Sequence, residues 1–127
     1  MQLQLLESKI TNLNLTYVGD ENSFGIKKLD YRAAFSDDKE ERTFWILFSI
    51  SVVSEEMFKV DIEYASKFSC SENITSGFIE SSFPRVNAPA IAYPFLRSAL
   101  ANIMLQSGHD PVILPSYNFT KTKEKEG

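Results

Sequence analysis

Alternation of apolar and polar side chains along residues Phe58–Cys70 restricts this chain more than any other feature. Phe58, Val60, Ile62, Tyr64, Phe68 and Cys70 share one parity, interrupted only by Ser66. Lys59, Asp61, Glu63, Lys67 and Ser69 share the other, interrupted by Ala65. A period of two sends successive side chains to opposite faces of an extended strand, so one face is dry and one is wet. A strand wet on one side belongs in an antiparallel sheet; parallel α/β sheets are covered on both faces and ask for apolar residues at both parities.

The stretch before it has the same period with a greasier second face. In residues 43–54, Phe44, Ile46, Phe48, Ile50 and Val52 alternate with Trp45, Leu47, Ser49, Ser51 and Val53. The short link Glu55, Glu56 and Met57 predicts a hairpin between the two strands. Upstream, Leu29, Tyr31, Ala33 and Phe35 alternate with Asp30, Arg32 and Ala34, and the polar run 36–42 predicts a turn. A first strand is predicted around residues 9–18, with Leu13, Leu15 and Tyr17 opposite Asn12, Asn14 and Thr16; residues 19–23 then have loop chemistry.

After the strands the period changes. Phe95, Leu96, Ala99, Leu100, Ile103 and Met104 recur at helical spacing, and Gly108 supplies a stop. The helix starts near Asn87 to Pro89, with Asn87 as N-cap and Pro94 kinking its interior, or else it starts with Pro94 in its first turn. Ala92 and Leu105 lie off the apolar stripe, so a second face is also covered. A helix with two apolar faces meets its own sheet and a neighbouring subunit, and Leu96, Leu100, Ile103 and Leu105 are the candidates for that contact. Four strands and one helix make an α+β fold: a four-stranded antiparallel sheet with one main helix packed on one face. Residues 1–119 form a single domain, and the apolar-free stretch 120–127 is expected to be a flexible charged tail.

Composition removes several classes of function. A formal charge of −4 argues against a nucleic-acid binder, which presents a basic face. One cysteine, Cys70, excludes an internal disulfide and fits a reducing compartment such as the cytoplasm. Residues 1–7 lack a basic stretch and a long apolar core, so no secretory leader is expected. No apolar run is long enough to insert in a membrane. The sequons at Asn14, Asn73 and Asn118 therefore carry little meaning. Ten Phe in 127 residues are many; they fill a core or line a contact surface.

Catalytic constellations are not found. His109 is the sole histidine, which rules out a multi-histidine metal site. Ser107, His109 and Asp110 supply the letters of a triad, but near neighbours in sequence do not converge as nucleophile, base and orienter, and a helix-capping turn is the better reading. Cys70 sits on the dry parity of its strand, as an inert thiol would. Asp37, Asp38, Glu40 and Glu41 lack the spacing of a calcium loop. No glycine-rich phosphate loop is present, so no nucleotide, metal or other cofactor is expected and no enzyme activity is assigned.

Two motifs then stand out. Ala92-Tyr93-Pro94-Phe95-Leu96-Arg97 lies in the helix, and Leu114-Pro115-Ser116-Tyr117-Asn118-Phe119 forms an extended Pro–aromatic exit after it. In this order, behind four strands, they resemble the SecB family of export chaperones, and the likeness runs from about Leu5 to Phe119. The resemblance implies an ATP-independent cytoplasmic holdase. Such proteins assemble as dimers of dimers, keep precursor polypeptides unfolded in apolar grooves, and pass them to the SecA motor. It also implies a partner-docking site on the wet sheet face, where Asp61 and Glu63 stand here.

The chain departs from the family pattern at two places. The family's long, aromatic crossover between the first two strands is reduced to residues 19–23 and Phe24, and the sole tryptophan, Trp45, lies in a central strand. Where the family has a second helix, residues 120–127 read as charged tail. Both parts border the family's groove, which leaves Phe24, Tyr31, Phe35, Tyr117 and Phe119 as the client-binding candidates. Two further readings stand beside a general holdase. One is a dedicated interaction module for a single partner, such as an antitoxin; the other is a small-ligand carrier or enzyme, which would need a deep pocket with convergent polar groups.

Overall fold

A computed structural model describes residues 1–19, 23–38 and 41–120. Four strands, β1 (Leu3–Tyr17), β2 (Gly25–Phe35), β3 (Thr43–Val53) and β4 (Phe58–Cys70), are followed by a one-turn helix α1 (Ser76–Ile79). A π-helical turn over Phe83–Asn87 then runs into the main helix α2 (Ala88–Gln106). The sheet is antiparallel throughout, in the order β1-β4-β3-β2. Three hairpin-connected strands with the first strand returned beside the fourth make a Greek-key order. It leaves β1 and β2 as the two edges. The predicted α+β architecture, one helix over one sheet, is what the chain adopts. Part of the loop 19–23, part of the polar turn 36–42, and residues 121–127 of the charged tail lie outside the described residues.

The sheet's dry face is the parity expected. Phe44, Ile46, Phe48, Ile50 and Val52 of β3 pair with Phe68, Ser66, Tyr64, Ile62 and Val60 of β4, and every one is buried. β1 is longer than its sequence pattern showed because its parity flips twice. Bulges between Leu5 and Glu7 and between Ile10 and Asn12 keep Leu3, Leu5, Ser8, Ile10, Leu13, Leu15 and Tyr17 all opposite dry-face residues of β4. Each bulge inserts one residue, so no single alternation runs through the strand. A bulge between Ile26 and Lys28 does the same at the start of β2.

The helix begins differently from expectation. Asn87 has helical backbone angles and makes no side-chain cap; the preceding turn closes with the Ala88 amide donating to the Phe83 carbonyl. Pro84 and Pro89 have no amide to donate, so a wide π turn bridges their first hydrogen bonds. Pro94 does lie inside α2, on its exposed side, where the freed carbonyl can meet water. At the other end the His109 amide donates to Met104 and the Gly108 amide to Leu105, with Gly108 at φ +86°. That is the left-handed stop read from the sequence. The short α1, capped by the Thr75 hydroxyl on the Phe78 amide at 3.1 Å, had no periodic signal. It drives Phe78 onto Phe44, ring centres 5.5 Å apart.

Candidate functional site

The five client-binding candidates separate in the fold. Tyr31, Tyr117 and Phe119 meet in one aromatic cluster with Tyr93: Tyr31 to Phe119 is 5.2 Å between centroids, Tyr117 to Phe119 is 4.9 Å, and Tyr93 to Phe119 is 5.5 Å. Hydroxyls tie the cluster down, with Tyr31 donating to the Arg85 carbonyl at 3.1 Å and Tyr93 to the Pro115 carbonyl at 2.7 Å. Tyr31 and Phe119 are thereby buried; they fasten the exit segment to α2 and β2 and have no face to offer a client. Tyr117 is half-buried at the rim. Phe35 belongs to a second cluster, stacked on Phe44, which stacks on Phe68. Phe24 stands apart and is 59% exposed.

Phe24 marks one oily surface. With Gly25, Val53, Pro111 and Val112 it lines a cleft of about 370 Å³ whose floor includes Ser54, Glu55, Glu56 and Asp110. Ile26 and Ile113 are also exposed. Ile26 shares the dry parity of β2, and Ile113 sits on the exit segment beside Val112. Sequence reading had not singled out Ile26, because the bulge hides its parity, or Ile113, because the exit segment has no period.

The second oily surface follows β1. Ile10, Leu13, Leu15 and Tyr17 continue the dry-face row of the core, yet each is exposed. The reason is that α2 lies over the sheet with its buried stripe of Ala92, Leu96, Leu100 and Met104 pointing straight down. Tyr93 meets Tyr117 of the exit segment on one flank of the helix, where Arg97 and Ala101 line a hollow with Val112, Ile113 and Leu114; Ile91 and Phe95, off the buried stripe, stay exposed like the β1 row. This placement corrects two of the four interface residues drawn from periodicity. Leu96 and Leu100 have no accessible surface and belong to the chain's own core, and Ile103 packs against the same core. Of the four, only Leu105 projects into solvent.

The end of the β1 row is held by a residue whose role sequence reading missed. His109 is buried, stacks on Phe58 with centroids 4.1 Å apart, and places Nε2 2.9 Å from the Tyr17 hydroxyl. Its Nδ1 lies 3.3 Å from Glu56 Oε1, close enough to pair but off hydrogen-bond geometry. The helix stop thus also pins β1 to the β3–β4 turn. The expected docking carboxylates on the wet face are already engaged: Asp61 lies 4.0 Å from the Lys59 ammonium, and Glu63 accepts from the Ser49 hydroxyl at 2.9 Å. Cys70 is buried, and burial pushes its thiol pKa up, away from nucleophilic thiolate. Among the described residues no group of three His, Cys, Asp or Glu could hold a metal ion, and no helix is long and apolar enough to cross a membrane.

Comparison with known proteins gives a consistent picture. The family profile described as "Preprotein translocase subunit SecB" matches residues 26–125. No curated protein matches the sequence. Among solved structures, the chain is similar to the Mycobacterium tuberculosis SecB-like chaperone Rv1957, solved in complex with a ChAD peptide from the HigA1 antitoxin Rv1956. The TM-score is 0.68 at 12% identity, over 91% of this chain and 88% of that one. It is also similar to a protein of unknown function from Streptococcus agalactiae, with TM-score 0.61, 10% identity, and 91% and 98% coverage. At such identities the two structures attest the fold.

Proposed function

The chain belongs to the SecB family, and from that premise we propose that it is an ATP-independent polypeptide-binding chaperone. It holds apolar segments of unfolded or precursor chains without making or breaking bonds. The observation that carries this reading is the oily surface left over once the core is complete: Phe24 at an open cleft shared with Val53, Pro111 and Val112, with exposed Ile26 and Ile113 adjoining that lining along the chain. Covering such side chains contributes roughly 25 cal/mol per Å² whatever the client's sequence.

The chaperone works as a homo-oligomer in the cytoplasm. β1 is a 15-residue edge strand with an apolar row contiguous with the core, no proline, and one lysine. Natural edges that stay single are short, charged or bulged away; the two bulges of β1 lie before Asn12, and from Asn12 to Tyr17 its register is unbroken. Two copies of β1 pairing antiparallel about a two-fold axis would extend the sheet, and the Ile91–Phe95 flank of each α2 would close over the partner's row. A SecA-like motor is the weaker partner, because Asp61 and Glu63 already satisfy Lys59 and Ser49.

Suppression of aggregation of an unfolded client, without nucleotide, tests the reading. The wild type should suppress aggregation, and Phe24→Ser with Ile113→Ser should not, at unchanged oligomeric state. Equal suppression by both proteins, or by neither, ends the proposal. A second reading, a module dedicated to one partner, draws on the modest cleft of about 370 Å³, which admits a few side chains instead of a long wrapped client. Unrelated unfolded clients separate the two: a general holdase protects them all, and a dedicated module protects none while still binding its one partner.

A further inference from the structure

On the face of the sheet away from α2, the register lines up two rows. Ala34, Trp45, Lys67 and Glu7 form one, and Arg32, Leu47, Ala65 and Lys9 form the next. The Lys9 ammonium lies 5.0 Å from the centre of the Trp45 ring and the Lys67 ammonium 5.8 Å from the same ring. Among the described residues neither lysine nor Arg32 has a carboxylate in ion-pair range, whereas Lys28 and Lys59 farther along the face are matched by Asp30 and Asp61. Glu7 stands across from Lys67 in register without forming an ion pair. Glu41 feels Lys67 only as a minor influence; hydrogen bonds from Thr43 and then Ser36 are what chiefly hold its carboxyl below the usual range.

We propose that this end of the outer face, with Lys9, Arg32 and Lys67 around Trp45 and Leu47, docks an acidic segment of a partner protein that carries one large apolar side chain. Charge complementarity selects the occupant. Two ammonium groups held over one indole repel each other, and an arriving carboxylate relieves that repulsion while it gains both. The chain as a whole is acidic, at −4, so a cluster of unmatched cations around a half-buried aromatic ring is not average surface. An apolar side chain has somewhere to go as well: a hollow of about 450 Å³ opens beside Leu47, lined by Arg32, Ser49 and Glu63. This docking surface is separate from the cleft at Phe24, which lies at the far end of β2.

Trp45 is the only tryptophan, so its fluorescence reads this face directly. The full chain is titrated with the peptide Asp-Leu-Asp-Phe-Glu, capped at both ends, and with its counterpart in which lysine replaces each acid. The acidic peptide should give a saturable change in Trp45 emission and the basic one none. Lys9→Glu with Lys67→Glu should weaken binding by about tenfold or more, as should raised salt. Circular dichroism confirms the fold of that variant, and client protection should persist in it. Phe24→Ser should lose client protection yet leave the titration unchanged, which separates this surface from the proposed chaperone cleft. No saturable response, an equal response in the charge-reversed variant, or tighter binding of an oligonucleotide or of anionic lipid vesicles than of the acidic peptide would overturn the proposal.

Discussion

Leu13→Lys combined with Leu15→Lys should turn an oligomer into a folded monomer. The two leucines are 41% and 39% exposed in the single chain, which leaves on the order of 70 Å² of each in water. A two-fold contact between β1 strands would cover both leucines from both copies, about 280 Å² in all, worth roughly 7 kcal/mol at the usual area coefficient. Incomplete covering lowers this to about 4 kcal/mol, still three decades in the dissociation constant. The folded subunit should lose much less, because a lysine stem can lie along the same surface with its ammonium in solvent. Sedimentation velocity over a concentration series measures the association, and thermal melting followed by circular dichroism measures the fold. A variant that melts near the wild type and sediments as the same oligomer would refute the placement of the interface on β1. A wild type that stays monomeric at every concentration would refute it more simply.

Other outcomes follow from the core and its ends. Phe44→Ala should cost about 3–5 kcal/mol and lower the melting temperature by more than about 10 °C, because Phe44 is buried between the rings of Phe35, Phe68 and Phe78. A drop of a degree or two would mean that the cluster is not packed as described. Gly108→Ala should cost about 1 kcal/mol in chemical denaturation: nothing lies within 4 Å of an added Cβ, so backbone strain at φ +86° is the whole effect. An unchanged midpoint would contradict the left-handed stop. Burial holds the Tyr93 phenol pKa above its ordinary value, against a smaller downward pull from Arg97. Its stabilising share is therefore complete below the unfolded value of about 10 and fades as pH climbs through the raised folded one. Tyr93→Phe should flatten the alkaline limb of the stability curve, and an identical limb would count against that burial. Cys70 should react with a disulfide reagent only on unfolding; a fast native reaction would show that it is accessible.

The sheet was legible because β3 and β4 obey one period each, and their parity says which face is dry. β1 and β2 were half legible. Their bulges at Leu5, Ile10 and Ile26 shift the parity, and a period count cannot follow an inserted residue. The helix stop at Gly108 was readable; the start was not, since Asn87 looks like a cap and instead continues a π turn set up by Pro84 and Pro89. The surfaces were the least legible part. Spacing along α2 reveals which residues are apolar, but not which flank the exit segment covers, so it predicts Leu96 and Leu100 at an interface when they are core. The family resemblance places Tyr31 and Phe119 in a groove, whereas their long-range partners bury them. His109 pairs with Tyr17, 92 residues away in sequence, a contact that no local pattern encodes.

His109 also joins the separate surfaces into one mechanical unit. It ties the last residue of the β1 row to the β3–β4 turn and the end of α2, and that turn supplies Glu55 and Glu56 to the cleft at Phe24. Loosening β1 should therefore be felt in the cleft as well as at the edge. Tyr17→Phe removes the hydrogen bond to Nε2 while keeping the ring on Phe58, where the centroids are 5.2 Å apart. About 1 kcal/mol of local stability goes with that bond. The readout is amide exchange at Val18, whose N–H donates to the Met57 carbonyl at 2.9 Å and sits at this junction. Faster exchange there and at the turn, with unchanged protection in the middle of β3 and β4, is the expected result. Exchange that quickens throughout the sheet would mean that His109 supports the whole fold and that the two oily surfaces have no private connection.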